Sequence, residues 1–564
     1  MRARQGVFAI AWVLVLYGCG IFAPSRSLNP VGSTATVLPA TFEITTEVAN
    51  VAAPPDTLRW SLEGIADLQT LDPAVAGDNA SFTALSLIYG GLVRFDEHLE
   101  VMPDGASDFQ VSADGKLYTF TIREGLTFAD GTPVEASDFA YSLNRVLQPE
   151  TKSFVGPDQF GAIVGAMDVA NGRTKAAAGI KVVDPRTLEL TLIQPVAYFL
   201  SQLASPYGYV VPRQLVESGA QWTERAYGTG PYRVKTWKHG ESLLLEKNDR
   251  YWRGAPQTPY ILIPFNPDSD TAFQQYLAGQ LDIMGNQQTP LPANRVQQAQ
   301  SLPGFRSSAV LVTRYVGFNN KKAPFDNVDV RRAFAMAVDR EQLARAVLAN
   351  TSVPATRILP AGMLGTQLPI QPLQFDPTAA QAALKQAGFA NGADVPVVTL
   401  AYANEGDNGR VVQALQQMWK ANLGVEVKLQ SYPLNDFNSA LDTTYFTPEQ
   451  GLQFYFSVWG ADYPDPENFL SRQLRTDVRN NNGHFSDARF DQLVDEADRL
   501  SSRAQFQQRL QLYNQAEQIA INRVGWLPLY YPEFNVLIRP RVQGLVLTPN
   551  GILAPDWSQV RLQP

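Results

Sequence analysis

The chain is almost free of the residues that build disulfides, metal centres and histidine-dependent catalytic sites. Its 564 residues include one cysteine and three histidines. A single cysteine, Cys19, excludes an intrachain disulfide. His98, His239 and His484 are far apart in sequence and show no spacing typical of metal ligands or of a catalytic triad. We therefore expect no cofactor and no metal, and the sequence favours a binding protein over an enzyme.

Basic clusters, internal repeats and long charge runs are also missing. The formal net charge is −8, and removal of residues 1–18 takes away Arg2 and Arg4 but no acid, which moves it to −10. This acidic balance argues against nucleic acid and against a polybasic membrane patch as partners. Hydrophobic residues make up 45% of the chain, which predicts a well-packed globular body.

The one distinctly apolar run lies at the N-terminus. Arg2 and Arg4 precede residues 7–17, a hydrophobic segment of signal-peptide length that is too short to span a bilayer. Leu16-Tyr17-Gly18-Cys19 resembles a bacterial lipobox, whose cysteine is diacylated. We predict a signal peptide at 1–18, lipid attachment at Cys19 and a disordered linker over 19–56; an ordinary secretory signal with a chance cysteine is the alternative.

Strand and helix patterns interleave through the rest of the chain, which favours an α/β or α+β body of several lobes. Ser137 or Asp138 is expected to cap a helix that begins at residue 139. The hydrophobic periodicity predicts strands at residues 57–62, 117–123, 180–183, 188–193, 527–531 and 535–538, and helices at 139–147, 330–338, 377–388, 410–422 and 506–522.

An acidic turn, GADYPDP at residues 460–466, follows the aromatic run FYFSVW at 454–459. A buried strand that stops at Asp462 places one carboxylate at the rim of an apolar cleft, where a ligand amine would neutralise it. The residues alone leave other roles open: Asp462 caps a helix near residues 468–473, or it pairs with a local arginine. Calcium binding by Asp462, Asp465 and Glu467 is a further alternative.

Three blocks carry a family resemblance. The first is GKLY at 115–118 with FADGTPVEASDF at 128–139, the second is TGPY at 229–232 with NDRYW at 248–252, and the third is DNVDVRRAF at 326–334 with AVDR at 337–340. In this order they resemble the large peptide- and nickel-type solute-binding proteins of bacterial ABC importers, family 5.

The resemblance implies an α/β, periplasmic-binding-protein-like fold of three lobes. Lobe I would contain residues 57–100, 228–315 and 535–564, lobe II, the extra lobe, 101–227, and lobe III 316–534. Two lobes would close on a central cleft, and an extended peptide would be held there by strand-like hydrogen bonds. The expected protein is a lipid-anchored, extracytoplasmic monomer that captures small peptides and delivers them to an ABC permease and ATPase.

The resemblance also assigns ligand contacts. Asp462 matches the aspartate that peptide-binding members keep for the ligand's α-amino group, and Arg357 is a candidate partner for the ligand's carboxylate. The remaining expected contacts are backbone groups of Val458 and Gly460, the side chain of Trp459, and an opposing segment formed by Gly77, Asp78 and Asn79.

Relatives that take oligosaccharides or metal chelates leave a second ligand class open. A sugar site would be walled by aromatic rings. The rings that the sequence offers for such a wall are Trp60, Tyr89, Trp237, Trp459 and Trp526.

Overall fold

The computed structural model describes residues 52–153, 155–286, 291, 295–348, 351–554 and 556–563. The predicted signal peptide, the lipid attachment at Cys19 and nearly all of the predicted linker lie outside these residues. None of the helices in these segments is long and apolar enough to cross a membrane.

The strands are short except for one of 13 residues near the C-terminus. In chain order they are β1 (Thr57–Arg59), β2 (Leu62–Glu63), β3 (Val93–Phe95), β4 (Val101–Pro103), β5 (Ala106–Val111), β6 (Leu117–Ile122), β7 (Ile180–Asp184), β8 (Thr187–Thr191), β9 (Tyr232–Lys238), β10 (Ser242–Lys247), β11 (Tyr260–Asn266), β12 (Ile283–Met284), β13 (Phe305–Ala309), β14 (Val312–Phe318), β15 (Ser352–Pro354), β16 (Val398–Ala403), β17 (Val427–Tyr432), β18 (Phe454–Gly460), β19 (Trp526–Ile538), β20 (Val542–Gln543), β21 (Val546–Thr548), β22 (Gly551–Leu553) and β23 (Arg561–Leu562).

The α-helices are α1 (Asn79–Ile88), α2 (Ala136–Leu147), α3 (Gly156–Phe160), α4 (Ala166–Ala170), α5 (Phe199–Leu203), α6 (Arg213–Val216), α7 (Ser269–Leu277), α8 (Val296–Gln300), α9 (Val328–Met336), α10 (Arg340–Gln342), α11 (Pro377–Gln386), α12 (Asn408–Leu423), α13 (Leu434–Phe446), α14 (Ser471–Leu474), α15 (Ala488–Ala497) and α16 (Phe506–Asn522). A π-helical turn, Leu343–Val347, follows α10. Single 3₁₀ turns lie at Pro149–Thr151, Pro206–Gly208, Trp222–Arg225, Gly392–Asp394, Pro466–Asn468, Arg503–Gln505 and Trp557–Gln559.

Three larger sheets organise these elements. The first sheet has five strands in the order β1-β11-β10-β9, with β2 also on β11. The second sheet has four antiparallel strands, β5-β6-β8-β7. The third has eight, in the order β12-β19-β14-β18-β16-β17, with β13 and β15 also on β19. The predicted mixed α/β architecture is therefore confirmed.

The third sheet is buried on both faces. On one face Val316, Phe318, Phe334, Trp419 and Phe454 belong to one apolar cluster. On the other face a second cluster contains Tyr315, Tyr455 and Trp526 together with side chains of α15 and α16. Burial on both faces explains why the strand before the acidic turn reads as a continuous aromatic run and not as an alternating one.

Strand order in this sheet also locates an edge suited to a ligand. Strands β17 and β18 both run parallel to β16 and lie on opposite sides of it. The chain passes from β16 through α12 to β17, then through α13 to β18 across β16. Strand order thus reverses between β16 and β18, and in open α/β sheets ligands bind beyond the carboxyl ends of strands at such a point. The acidic turn follows the carboxyl end of β18.

Two strand predictions are wrong. The strand expected at 57–62 is split into β1 and β2, because Trp60 between them forms an isolated bridge to Ile283. The strands expected at 527–531 and 535–538 are one continuous strand, β19. Pro528 and Pro532 lie within this strand although proline cannot donate to a ladder. Strand β19 instead changes partners near these prolines, from β14 through Trp526–Tyr530 to β13 through Glu533–Leu537.

The helix start predicted at residue 139 is also wrong. Helix α2 begins at Ala136 with Glu135 as its N-cap. Asp138 lies in the first turn, and its carboxylate accepts a hydrogen bond from the Glu135 backbone N–H at 2.8 Å. This is a capping box, in which the acid at the third helical position reaches back to the cap. The other predicted helices match α9, α11, α12 and α16 to within about two residues.

Continuous strands cross two of the predicted lobe limits. The limit at residues 315/316 falls inside β14 and that at 534/535 inside β19. The two strands pair with each other and also with strands that the prediction assigns to lobe III. The lobe limits themselves stay a prediction.

Candidate functional site

The acidic turn is fixed to the third sheet at its start. Ala461 donates its backbone N–H to the Leu311 carbonyl at 2.8 Å, which extends the pairing of β18 with β14 by one residue. Beyond it, the Asp462 side chain is 39% exposed, whereas Tyr463 through Leu470 are buried. Asp462 therefore stands at the edge of the core, as the sequence predicted.

Asn468 positions the Asp462 carboxylate. This fully buried amide accepts the Asp462 backbone N–H at 3.1 Å and donates to Asp462 Oδ2 at 3.4 Å. Its carbonyl and its side-chain oxygen both accept from Trp459 Nε1, at 2.9 and 3.2 Å. Asn468 thereby holds both the Trp459 ring and the Asp462 carboxylate.

Both local alternatives for Asp462 can now be judged. The helix-cap alternative is wrong, because Asp465 is the N-cap of the 3₁₀ turn Pro466–Asn468 and accepts from Glu467 N at 3.0 Å. The arginine alternative is confirmed as a contact, because Arg472 Nη2 lies 3.5 Å from Asp462 Oδ2. That distance is longer than the roughly 2.7–2.9 Å of a strong charge-assisted hydrogen bond.

Desolvation dominates the electrostatics of Asp462. Burial by the surrounding protein raises the pKa of Asp462, and Arg472 and Asn468 offset only part of that rise. The side chain is nevertheless accessible to solvent, which describes a group in a concave region. An ionised carboxylate that its neighbours do not fully compensate gains from an additional cation.

Next to Asp462, one side of β18 has backbone N–H and C=O groups that pair with none of the described strands. Strand β16 pairs with β18 only at Phe454–Phe456, whereas β14 pairs along the whole strand to Gly460. Because the Ala461 N–H points to β14, the alternation of an antiparallel ladder directs the N–H and C=O groups of Val458 and Gly460 to the opposite side. Within the described strands that side is unpaired, so it can accept an extended ligand by strand addition.

The second predicted segment lies at the start of α1. Gly77 donates its N–H to Gln69 Oε1 at 2.9 Å, and Asn79 is the first helical residue. The Asp78 carboxylate caps the helix, because it accepts from Ser81 N at 2.8 Å and from Ser81 Oγ at 2.7 Å. Its side chain is thus used locally, and a role of the segment in binding a ligand through its backbone stays a prediction.

Tyr207 connects the two segments. Its hydroxyl donates to the Ala76 carbonyl at 2.8 Å, and its ring packs edge-on against Phe82 with centroids 5.9 Å apart. Burial raises the pKa of Tyr207, and the carboxylates of Asp462 and Asp78 both add to that rise. Tyr207 therefore contacts the start of α1, and the charge of Asp462 acts on the pKa of this tyrosine although Asp462 and α1 are separated by almost 400 residues.

Arg357 is not available to a ligand carboxylate, so that prediction is wrong. Its side chain is 8% exposed and forms an ion pair with Glu517, which is completely buried. The guanidinium also donates to the carbonyls of Thr366 and Leu368 at 3.0 and 2.9 Å. Glu517 further accepts the backbone N–H groups of Ile358 and Leu359. Arg357 holds its own loop against α16.

The aromatic wall expected for a sugar is not formed. Trp60 and Tyr89 are buried in the core of the first sheet, with Trp237 packed against it. Trp526 is buried in the third sheet, where Trp459 packs at the same cluster. The calcium alternative fails as well, because Asp465 pairs with Arg509 and Glu467 accepts the Tyr463 hydroxyl. Across the described segments no group of three or more His, Cys, Asp or Glu residues is placed to hold a metal ion.

Sequence reasoning missed Asn468, Arg472 and Tyr207. The chain folds back through a 3₁₀ turn and α14, which brings Asn468 and Arg472 to Asp462. No regular spacing in the sequence indicates this approach. Tyr207 comes from a different part of the chain. The proline-rich spacing after Asp462 indicated a rigid turn, which was the available signal for nearby partners.

Comparison with known proteins places the chain in a family. The sequence profile described as bacterial extracellular solute-binding proteins, family 5 Middle, matches residues 100–481. The chain belongs to this family. It is 33% identical to the periplasmic oligopeptide-binding protein OppA of Salmonella typhimurium, over 85% of this chain and 88% of the relative. It is 30% identical to the dipeptide-binding protein DppE of Bacillus subtilis, over 87% and 89%. The probable deoxycholate-binding periplasmic protein YgiS of Escherichia coli is 31% identical over 88% and 91%.

Solved structures of family members confirm the periplasmic-binding-protein-like fold. The unliganded open form of the murein tripeptide-binding protein MppA superposes with a TM-score of 0.80 at 28% identity, covering 90% of this chain and 97% of that one. A second structure, of Escherichia coli MppA, gives a TM-score of 0.63 at 27% identity, with 90% and 98% covered. The arrangement seen here is thus similar to the open form of this family member.

Proposed function

We propose that this protein is the extracytoplasmic receptor of an ABC importer, which captures small peptides in its cleft and delivers them to the permease. The observation that carries the proposal is the combination of an incompletely compensated carboxylate, Asp462, with the unpaired backbone edge at Val458 and Gly460. A peptide offers both complements, an N-terminal ammonium and an extended chain of amide groups.

Other ligand classes complement this arrangement less well. A bile salt such as the deoxycholate named for YgiS is an anion and carries no cationic group to pair with Asp462. An oligosaccharide supplies no cation either, and its expected aromatic wall is absent from the described residues. The peptide-binding relatives OppA and DppE therefore agree best with the chemistry of the site.

Capture by this site requires closure. In the open arrangement Asp462 is 39% exposed, and a water-accessible ammonium–carboxylate pair is weak. Hinge closure around the ligand excludes water and strengthens the pair. We expect the permease to recognise the closed, peptide-loaded form.

Thermal unfolding of the purified full-length protein tests the ligand class. Trialanine, N-acetyl-trialanine, deoxycholate and maltotriose are each added, and the midpoint is recorded. A ligand at 100 times its dissociation constant stabilises the folded state by about 2.7 kcal/mol. Stabilisation by trialanine and much less by the acetylated peptide is expected. Stabilisation by deoxycholate or maltotriose alone would keep the receptor but contradict the peptide assignment.

We also propose that the receptor is lipid-anchored through Cys19. The tether that follows, residues 20–56, would let the binding body work close to the permease. Cys19→Ala is expected to move the protein from the membrane pellet to the soluble fraction of fractionated cells. A Ser-for-Thr change in the tether, Thr36→Ser, serves as a control and should leave the fractionation unchanged. Membrane association that survives Cys19→Ala would show that the lipobox interpretation is wrong.

A further inference from the structure

Asp462 has a cationic neighbour within the protein itself. We propose that Arg472 is an internal counter-ion that competes with the ligand's ammonium for Asp462 and thereby sets how strongly, and how selectively, amines are captured. This inference rests on the proposed function and assigns Arg472 a positioning role through Asp462.

The geometry of the pair is that of an exchangeable partner. Arg472 lies on α14, its side chain is 24% exposed, and its Nη2 stands 3.5 Å from Asp462 Oδ2. Asn468, and not Arg472, provides the hydrogen bonds that hold Asp462 in place. An ammonium arriving at Asp462 therefore replaces a long, partly solvated contact and leaves the position of the carboxylate unchanged. Arg472 repels that ammonium as long as it stays.

A second carboxylate contributes to the electrostatics of the Asp462–Arg472 pair. Asp158, an exposed residue of α3, comes from the predicted lobe II and is electrostatically coupled to both partners. Burial raises the pKa of Asp462 most, and Asp158 adds to that rise. Burial lowers the pKa of Arg472, and Asp462, with Asp158 among the other anions, reverses the shift. Glu467 competes little for Arg472 at neutral pH, because burial raises the pKa of Glu467 to about 8.

The sum of the charges also favours a ligand with one positive charge. Asp462, Asp158 and Arg472 together carry one net negative charge, and a ligand ammonium would bring the net charge of the four groups to zero. A ligand without a cation leaves the cluster unbalanced inside a closing cleft, which is costly. The cluster thus selects for one positive charge on the ligand at this position and penalises neutral ligand ends.

Isothermal titration of the full-length protein at pH 7 with trialanine and N-acetyl-trialanine tests the inference. Arg472→Met removes the charge and keeps an unbranched side chain. We expect it to bind trialanine roughly two- to five-fold more tightly, from the energy of a partly exposed ion pair. Its affinity for N-acetyl-trialanine should not change. Arg472→Lys keeps the charge and is the matched control, with trialanine affinity within about two-fold of the wild type.

Two further variants separate competition from a structural role. In an Asp462→Asn background, Arg472→Met should change trialanine binding clearly less than it does beside Asp462, because only the direct repulsion between the guanidinium and the ammonium remains when the shared carboxylate is gone. Asp158→Asn, an exposed change that leaves the fold intact, should weaken trialanine binding, since an anion that offsets the charge of the guanidinium is lost. This variant keeps the inference testable if Arg472→Met does not fold.

Failure of this inference can be distinguished from failure of the proposed function. Equal or weaker trialanine binding by folded Arg472→Met, an equal gain for both peptides, or unchanged binding by Asp158→Asn would overturn the role of Arg472 while peptide capture stands. A wild-type protein that binds neither peptide would overturn the proposed function, and this inference with it.

Discussion

Asp462 and Asp465 stand three residues apart in the same turn, yet the fold gives them opposite environments. Asp462 is 39% exposed and faces Arg472 at 3.5 Å. The Asp465 side chain is completely buried, forms a direct ion pair with Arg509, which is 5% exposed, and caps a 3₁₀ turn. One carboxylate is still open to a further partner, and the other is already used by the protein. The comparison shows that a site is defined by what remains uncompensated after folding, and not by the presence of charge.

The largest difference between the two residues should appear in stability. Asp465→Asn removes one member of a buried pair and leaves Arg509 uncompensated, which typically costs about 3–5 kcal/mol. Asp462→Asn should change the free energy of unfolding by less than about 1 kcal/mol, because the pair with Arg472 is partly exposed. Urea unfolding of the two variants measures this difference. Equal losses would mean that both carboxylates are structural.

For ligand affinity we expect the opposite order, with a large effect of replacing Asp462 and a small effect of replacing Asp465. Asp462→Asn is expected to weaken trialanine binding by on the order of 2–4 kcal/mol, because a desolvated ammonium loses its anion. Titration calorimetry measures this loss, and N-acetyl-trialanine is the control ligand, which should lose far less. The folded fraction of Asp465→Asn should bind trialanine almost normally. Unchanged affinity in Asp462→Asn would remove this residue as the amine anchor.

Glu467, which directly follows this turn, extends the comparison to the pH dependence of stability. Burial, and then the charge of Asp498, raises the pKa of Glu467 to about 8, and burial raises that of Asp498 to about 7. The groups that face Glu467 are Tyr463, Asp465, Arg472 and Asp498. The folded state holds these protons more tightly than the unfolded chain does, so their contribution to stability is present at low pH and is lost as pH rises through about 7 to 8.

Glu467→Gln checks this pH dependence. The wild-type unfolding midpoint should fall between about pH 5 and pH 8, where the folded state still holds protons that the unfolded chain has lost, and should level off above about pH 8. The variant, which is neutral at every pH, should show a clearly flatter profile over that interval. Asp462→Asn is the matched control and should keep the wild-type slope. Identical slopes in Glu467→Gln and the wild type would contradict the assignment.

The smallest expected effect concerns Asp78, in the segment predicted to face Asp462 across the ligand. Asp78 caps α1, and replacing such a cap by alanine costs about 1 kcal/mol of stability. Because the Asp78 carboxylate is used by Ser81, Asp78→Ala should change trialanine affinity by less than about two-fold. Urea unfolding and calorimetry measure both quantities. A large loss of affinity would show that the Asp78 side chain reaches the ligand.

Local sequence patterns predicted most of the elements that frame the site. The buried strand before Asp462 ends as its aromatic run indicated, and Asp376 caps α11 with Pro377 at its first position. The long strand β19 was not predicted, because its two prolines lie where pairing passes from one strand to another. Partner exchange of this kind depends on the tertiary arrangement of β13 and β14 and leaves no local pattern.

The sequence predicted the charged residue of the candidate site, Asp462, but not the residues that surround it. Asp462 stood out because an apolar strand ends at it, and the resemblance to a family gave it a ligand. Arg357 was a candidate partner for the ligand's carboxylate because of its residue type. It instead forms an ion pair with Glu517 on α16, 160 residues away. Arg472 was not predicted, since its approach to Asp462 depends on a short helix that turns back on the strand. Which arginines stay accessible is decided by packing.

The continuous run of β14 and β19 also bears on how the receptor works over many cycles. Each strand is fastened by hydrogen bonds along its length, and β19 is bonded to β14 near its start and to β13 near its end. Flexing of such a pair is confined to a narrow set of directions, unlike the swing of a glycine-rich linker. In the proposed receptor this strand pair would give the acidic turn a stiff support, and Asp462 would return to the same place after every closure.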